Sequence, residues 1–158
     1  MASYELDKFI WTDSDFDLMG WHDATIWSMA SDPENFDFML DLDYIFRWVD
    51  PDEGETYYKF WVCPVTMVFQ NASDIQINVQ SQQGTLEVDE VLREHLGPSP
   101  NGKFEQYSFR IRCQKGSISL EATGYAMYVR QAPTLLELQS FSYAARGGIS
   151  FGKGRSDA

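Results

Sequence analysis

The sequence predicts a mainly β domain (β-rich α+β): an antiparallel sandwich or open barrel of about seven or eight strands with two short helices. Three observations carry this expectation. First, the chain alternates without a break from Phe36 to Val49. Phe36, Phe38, Leu40, Leu42, Tyr44, Phe46 and Trp48 fall on one side, and Asp37, Met39, Asp41, Asp43, Ile45, Arg47 and Val49 on the other. That is the period of a long, half-buried strand, in which successive side chains point to opposite faces. Second, the chain holds 11 Phe, 8 Tyr and 5 Trp, residues that favour strands and bury large areas. Third, turn-forming clusters recur at short intervals: 31–35, 50–54 and 71–74.

Taken in order, Thr12 to Phe16 has the layout of a helix start. Thr12 is the expected N-cap, Asp15 completes a capping-box variant, and Trp11 and Phe16 are staple partners around a short helix over 13–19 that Gly20 stops. Trp21 to Ala30 reads as a strand leading into the long one. Residues 56–63 and 65–69 carry strand signals interrupted by Pro64, which lacks an N–H and suggests an edge or a bulge. Ile75, Ile77 and Val79 share one face of the next strand. Val88, Val91, Leu92 and Leu96 have helical spacing, closed by Gly97 and Pro98, and predict the second helix over 89–96. Phe104–Cys113 and Ser117–Thr123 form a hairpin through Lys115-Gly116, Gly124 permits a bend or a close approach, and Tyr125–Arg130 is the last strand. Residues 1–133 are thus expected to form one β-rich domain. Residues 134–158 read as a C-terminal extension, partly mobile, because nothing periodic or apolar organises the chain from Ala145 onward.

The net charge of −12 is uneven. Residues 1–58 hold 15 acidic against 2 basic side chains, and residues 59–158 hold 9 against 10. Such a field repels nucleic acid and anionic membranes and steers a basic partner; a solvated face that aids solubility is the simpler reading of the same acids. No run of apolar residues is long enough for a membrane-spanning helix, and the N-terminus lacks a secretory layout. Cys63 and Cys113 therefore read as buried free thiols in a cytoplasmic protein.

Two clusters could carry chemistry. In Trp21-His22-Asp23 a histidine beside a carboxylate has the makings of a general base or of half a metal site. The structural alternative seats Trp21 in the core and leaves His22 or Asp23 to bond backbone groups. Asp37, Asp41 and Asp43 share the polar face of the long strand, Asp41 and Asp43 about 7 Å apart. With Asp23 they could hold a hard cation; a solvated acidic face accounts for them equally. The Asp13-x-Asp15-x-Asp17 spacing fails as a calcium loop, because its sixth and twelfth positions are Leu18 and Ala24. No phosphate-binding glycine loop, zinc-ligand spacing or nucleophile elbow occurs, so no cofactor and no metal are expected. Met39, Ile45 and Val49 are apolar on the acidic face and suggest a contact surface, for a partner or for a second copy.

The order of W-H-D-A-x-I (21–26), V-T-M-V-F-Q-N-A-S-D-I-Q-I (65–77), F-R-I-R-C-x-K-G-x-I-S-L (109–120) and G-Y-x-M-Y-V-R (124–130) resembles small β-rich bacterial proteins of unknown function. Some of these are grouped with predicted immunity proteins of polymorphic toxin systems. The resemblance spans roughly residues 11–130. It implies a β-rich fold and stoichiometric binding through the acidic half, and it transfers no catalytic residue. The sequence thus points to a non-enzymatic, cytoplasmic protein-binding domain with Trp21, His22, Asp23, Asp37, Asp41 and Asp43 at its surface. A metal-dependent hydrolase or small-ligand protein using His22 and Asp23, and a homo-oligomeric structural protein, are the alternatives.

Overall fold

The computed structural model describes residues 3–155, which form two antiparallel sheets. The first sheet contains β1 (Ile10–Thr12), β2 (Thr25–Asp32), β3 (Asp37–Val49), β4 (Lys59–Gln70), β9 (Gly124–Val129) and β10 (Thr134–Leu136), in the order β1-β9-β4-β3-β2 with β10 also beside β4. The second contains β5 (Ser73–Val79), β6 (Val88–Pro98), β7 (Glu105–Cys113) and β8 (Gly116–Ala122), in the order β5-β8-β7-β6. Neither closes into a barrel. Among the described residues no helix is long and apolar enough to cross a membrane.

The long strand read from the alternation is β3. Its inward residues Phe38, Leu40, Leu42 and Tyr44 are buried, and they meet Phe69, Met67, Val65 and Cys63 across the register with β4. The second sheet supplies Phe109, Ile111, Ile118 and Leu120 to the same core. Phe69 and Phe109 stack edge-on at 5.2 Å, one ring from each sheet. A leucine or phenylalanine wholly removed from water in this way contributes about 1.5–3 kcal/mol. Backbone bonds between Asp23, Ala24 and Val88, and between Ile26 and Leu86, tie the start of β2 to the chain entering the second sheet.

The first helix is present as a single 3₁₀ segment, Asp13–Leu18. The Asp15 carboxylate accepts from Lys8 Nζ at 2.6 Å and from the Thr12 N–H at 3.0 Å; the Lys8 bond first, then the Thr12 bond, holds its pKa below the ordinary carboxylate value. Trp11 and Phe16 pack separately, against Phe46 and Trp21.

The second expected helix is a strand. Val88–Pro98 is β6, and β-bulges between Val88 and Glu90 and between His95 and Gly97 explain the misreading. One inserted residue brings Val88 and Val91 to the same inward face, so a bulged strand imitates a three-residue helical step. Gly97, expected to stop a helix, sits at the second bulge with φ +111, a conformation that glycine adopts without steric cost.

Pro64 is neither at an edge nor at a bulge; it is buried within β4. Its carbonyl accepts from the Arg130 N–H at 3.0 Å. The proline nitrogen faces that same side, at the seam where the flanking strand changes from β10, paired with Phe60–Val62, to β9, paired with Val65–Gln70. A missing N–H interrupts no ladder at such a seam.

Candidate functional site

The first sheet has a second face, and the C-terminal segment covers it. Residues paired across an antiparallel ladder share a face. Met39, Asp41, Asp43 and Ile45 of β3 therefore lie beside Val68, Thr66, Pro64 and Val62 of β4 on the side away from the main core. Ile45, Phe60, Val62 and Phe141 form a small apolar cluster there, with Leu136 packed on it.

Next to this cluster stands a buried ionic network. Asp41, Asp43 and Arg146 are each at most 2% exposed, and Arg130 only 5%. Arg146 forks onto Asp41 with Nη1–Oδ2 at 2.9 Å and Nη2–Oδ1 at 2.6 Å, and its Nε reaches Asp43 Oδ1 at 3.0 Å. Arg130 donates to Asp41 Oδ1 at 2.9 Å and to Thr66 Oγ1 at 2.8 Å. Further donors are Ser150 N on Asp41 and Phe141 N and Trp27 Nε1 on Asp43, all at 2.8–2.9 Å. The Arg146 guanidinium lies over the Trp27 ring at 4.6 Å. Two carboxylates face two guanidinium groups, so the network is neutral. Burial raises the Asp43 pKa above its ordinary value, and the bonds from Phe141, Trp27 and Arg146 partly oppose that shift.

Asp41 and Asp43 are therefore not on a solvated acidic face; that expectation is corrected. Their oxygens are filled by the chain's own donors, which leaves no position for a cation bound by both. The stretch after Ala145 has no apolar period because its anchor is polar: one arginine and a few backbone N–H groups.

The other four candidates are dispersed. Trp21 is buried against Tyr44 and Tyr125. Asp37 lies half-buried at the start of β3, opposite Asp32. His22 is exposed, with Nδ1 3.3 Å from the Asp89 carbonyl and Nε2 3.6 Å from Asp23. Asp23 takes the left-handed φ of 67 and accepts from Gln139 Nε2 at 2.9 Å. No group of three His, Cys, Asp or Glu among the described residues is placed to hold a metal ion. His95, expected on a helix, pairs with Glu105 on the exposed surface of the second sheet at 2.8 Å.

The structure instead places a cleft where sequence reasoning put a core residue. A bulge between Ile45 and Arg47 shifts the pairing so that Trp48 faces Phe60 and joins the second face. Trp48 is 41% exposed, and Tyr57 and Leu138 are 80% and 72% exposed. Together with Tyr58, Phe60, Glu55, Glu137 and Gln139 they line an open cleft of about 730 Å³. Trp48 meets Phe60 edge-on at 4.9 Å and Tyr58 at 5.9 Å, and the His22 ring stacks beside it at 6.1 Å. None of the sequence candidates lines this cleft; His22 stacks on Trp48 and Asp23 accepts from Gln139, two residues that do. The missed signal is in the chain entering β4: Asp50, Asp52, Glu53 and Glu55 lead without a basic residue into Tyr57-Tyr58.

No protein-family model matches the chain, and no curated protein or solved structure matches it significantly.

Proposed function

We propose that this sandwich-like domain is a non-enzymatic, cytoplasmic protein-binding module, and that it docks a basic partner at the Trp48 cleft rather than along the acidic face of β3. One observation carries the reading: Trp48, Tyr57 and Leu138, all more than a third exposed, converge with Glu55 and Glu137 on a single concave surface. Large aromatic side chains left open to water around a cleft are the usual anchors of recognition surfaces. The acids beside them, within a chain of net charge −12, favour a cationic partner and disfavour nucleic acid and anionic lipid. The resemblance to predicted immunity proteins makes a basic toxin domain one such partner, and a second copy of the chain is the competing occupant. A hydrolase centred on His22 and Asp23 is less well supported, because Asp23 is already engaged by Gln139.

The test compares capture by the tagged protein with capture by a Trp48→Ala, Tyr57→Ala variant, in lysate of the source organism at low and high salt. A stoichiometric basic protein held by the parent at low salt and lost by the variant supports the reading. Equal capture by both proteins removes the cleft from it, and a dimer that the variant dissociates assigns the cleft to self-association.

A further inference from the structure

We propose that the cleft is an aromatic cage for an organic cation, specifically the alkylammonium end of a lysine side chain presented by the partner; this rests on the docking reading above. The argument begins with ring geometry. Trp48 stands nearly perpendicular to both Phe60 and Tyr58, at 79° and 75°, with centroids 4.9 Å and 5.9 Å away. Trp48 and Tyr58 are 41% and 46% exposed, so π surface of both rings is open on the cleft that they line. Ring faces carry the negative part of the ring quadrupole, which attracts a cation within about 6 Å.

Charge complementarity points the same way. Glu55 and Glu137 line the cleft together with the rings. Among the described residues the only cation lining the cleft is Lys59, whose Nζ lies 3.8 Å from Glu55 on the exposed surface. An anionic ligand would meet two carboxylates and the faces of electron-rich rings. A neutral apolar ligand would use the rings and leave the glutamates without a role. An ammonium group uses both, and its methylenes pack along Trp48 while its charge faces the glutamates.

The cage also exists only through a local distortion. Without the bulge between Ile45 and Arg47, Trp48 would point into the main core, and Phe60 would close the end of the sheet without a wall.

The probe is choline chloride, titrated against the full-length protein and followed through the Trp48 indole N–H resonance. Sodium chloride at matched ionic strength and the neutral isostere 3,3-dimethylbutan-1-ol are the controls. The expected result is a saturating shift of the Trp48 signal with the ammonium, about five- to tenfold tighter than with the neutral isostere, from the size of a partly desolvated cation–π contact. Trp48→Leu should abolish the binding, and Glu137→Gln should weaken it several-fold; both residues are more than a third exposed. Equal affinity for the neutral isostere, or no Trp48 shift up to tens of millimolar ammonium, overturns the cage. Either outcome leaves the docking test independent: a partner still lost on removing Trp48 and Tyr57 would then bind by apolar contact. A partner retained by that variant would overturn docking at this cleft whatever the ammonium does.

Discussion

Replacing Arg146 by methionine tests the claim that a polar lock holds the C-terminal segment. The change keeps an unbranched apolar stem over Trp27 and removes the three bonds to Asp41 and Asp43. Taking one partner out of a buried ion pair costs about 3–5 kcal/mol, because the other charge stays behind. Here the loss has a ceiling. Asp41 keeps Arg130 and Ser150 N, whereas Asp43 is left with two neutral donors and can escape by taking up a proton. Protonating an ordinary carboxyl at pH 7 costs about 4 kcal/mol, and at pH 5 only about 1.5 kcal/mol. The variant should therefore lose about 3–4 kcal/mol at pH 7, equivalent to a Tm lower by about 9–12 °C for a domain of this size. More than half of that deficit should return at pH 5. Thermal melts at the two pH values, with amide exchange at Phe141 and Ser150, read both effects. A drop of less than about 2 °C at pH 7, with those amides still protected, would refute the lock. A double-mutant cycle with Asp41→Asn adds a check, since groups in one network should cost less together than the sum of the single changes.

The unaltered protein should show the Asp43 shift as a pH dependence of stability. Burial raises this carboxyl's pKa in the folded state, so the folded protein binds its proton more readily than the unfolded chain. The resulting stability is present below the ordinary carboxylate pKa and is lost as the pH rises through the folded value. Relative to Asp43→Asn, denaturant melts of the parent should weaken as the pH climbs from about 4, and a parallel pair of curves would contradict the assignment. The cysteines should be inert: both are buried, and burial followed by the charge of Asp89 pushes the Cys113 thiol up to about 11. Iodoacetamide near neutral pH should label neither in the native protein and both after denaturation; rapid native labelling of Cys113 would show that this end of β7 opens.

The legible parts of the fold were those in which the two-residue period is unbroken. Phe38, Leu40, Leu42 and Tyr44 turn inward as their alternation requires. The reading failed where an extra residue breaks the period. Bulges in β6 made a strand look helical, and the bulge in β3 sent Trp48 to the opposite face from the one its parity assigned. It also failed at Asp41 and Asp43, for a different reason. Alternation reports that a face carries acids, but not whether water or an arginine more than 80 residues away solvates them. The available signal was compositional: Met39 and Ile45 flank the aspartates on their own face, and an apolar face bearing carboxylates calls for a cation from elsewhere in the chain. Arg130 and Arg146 were that cation supply, but nothing local links them to β3.

The lock and the cleft belong to one mechanism of assembly. Buried ion pairs are weak evidence of net stability, because a well-packed apolar group often holds as strongly. What the guanidinium fork adds is placement. Apolar side chains laid on a flat sheet can shift along it at little cost, whereas Arg146 is satisfied only where Nε meets Asp43 and both terminal nitrogens meet Asp41. That single position fixes Phe141, whose N–H binds Asp43, and a few residues earlier Gln139, whose amide binds Asp23. Leu138 and Glu137 precede it directly and are the C-terminal segment's wall of the cleft, which Trp48 also lines. The wall thus inherits its position from two aspartates at the middle of β3, and an apolar substitute for the lock would keep the segment attached while leaving the width of the cleft undefined.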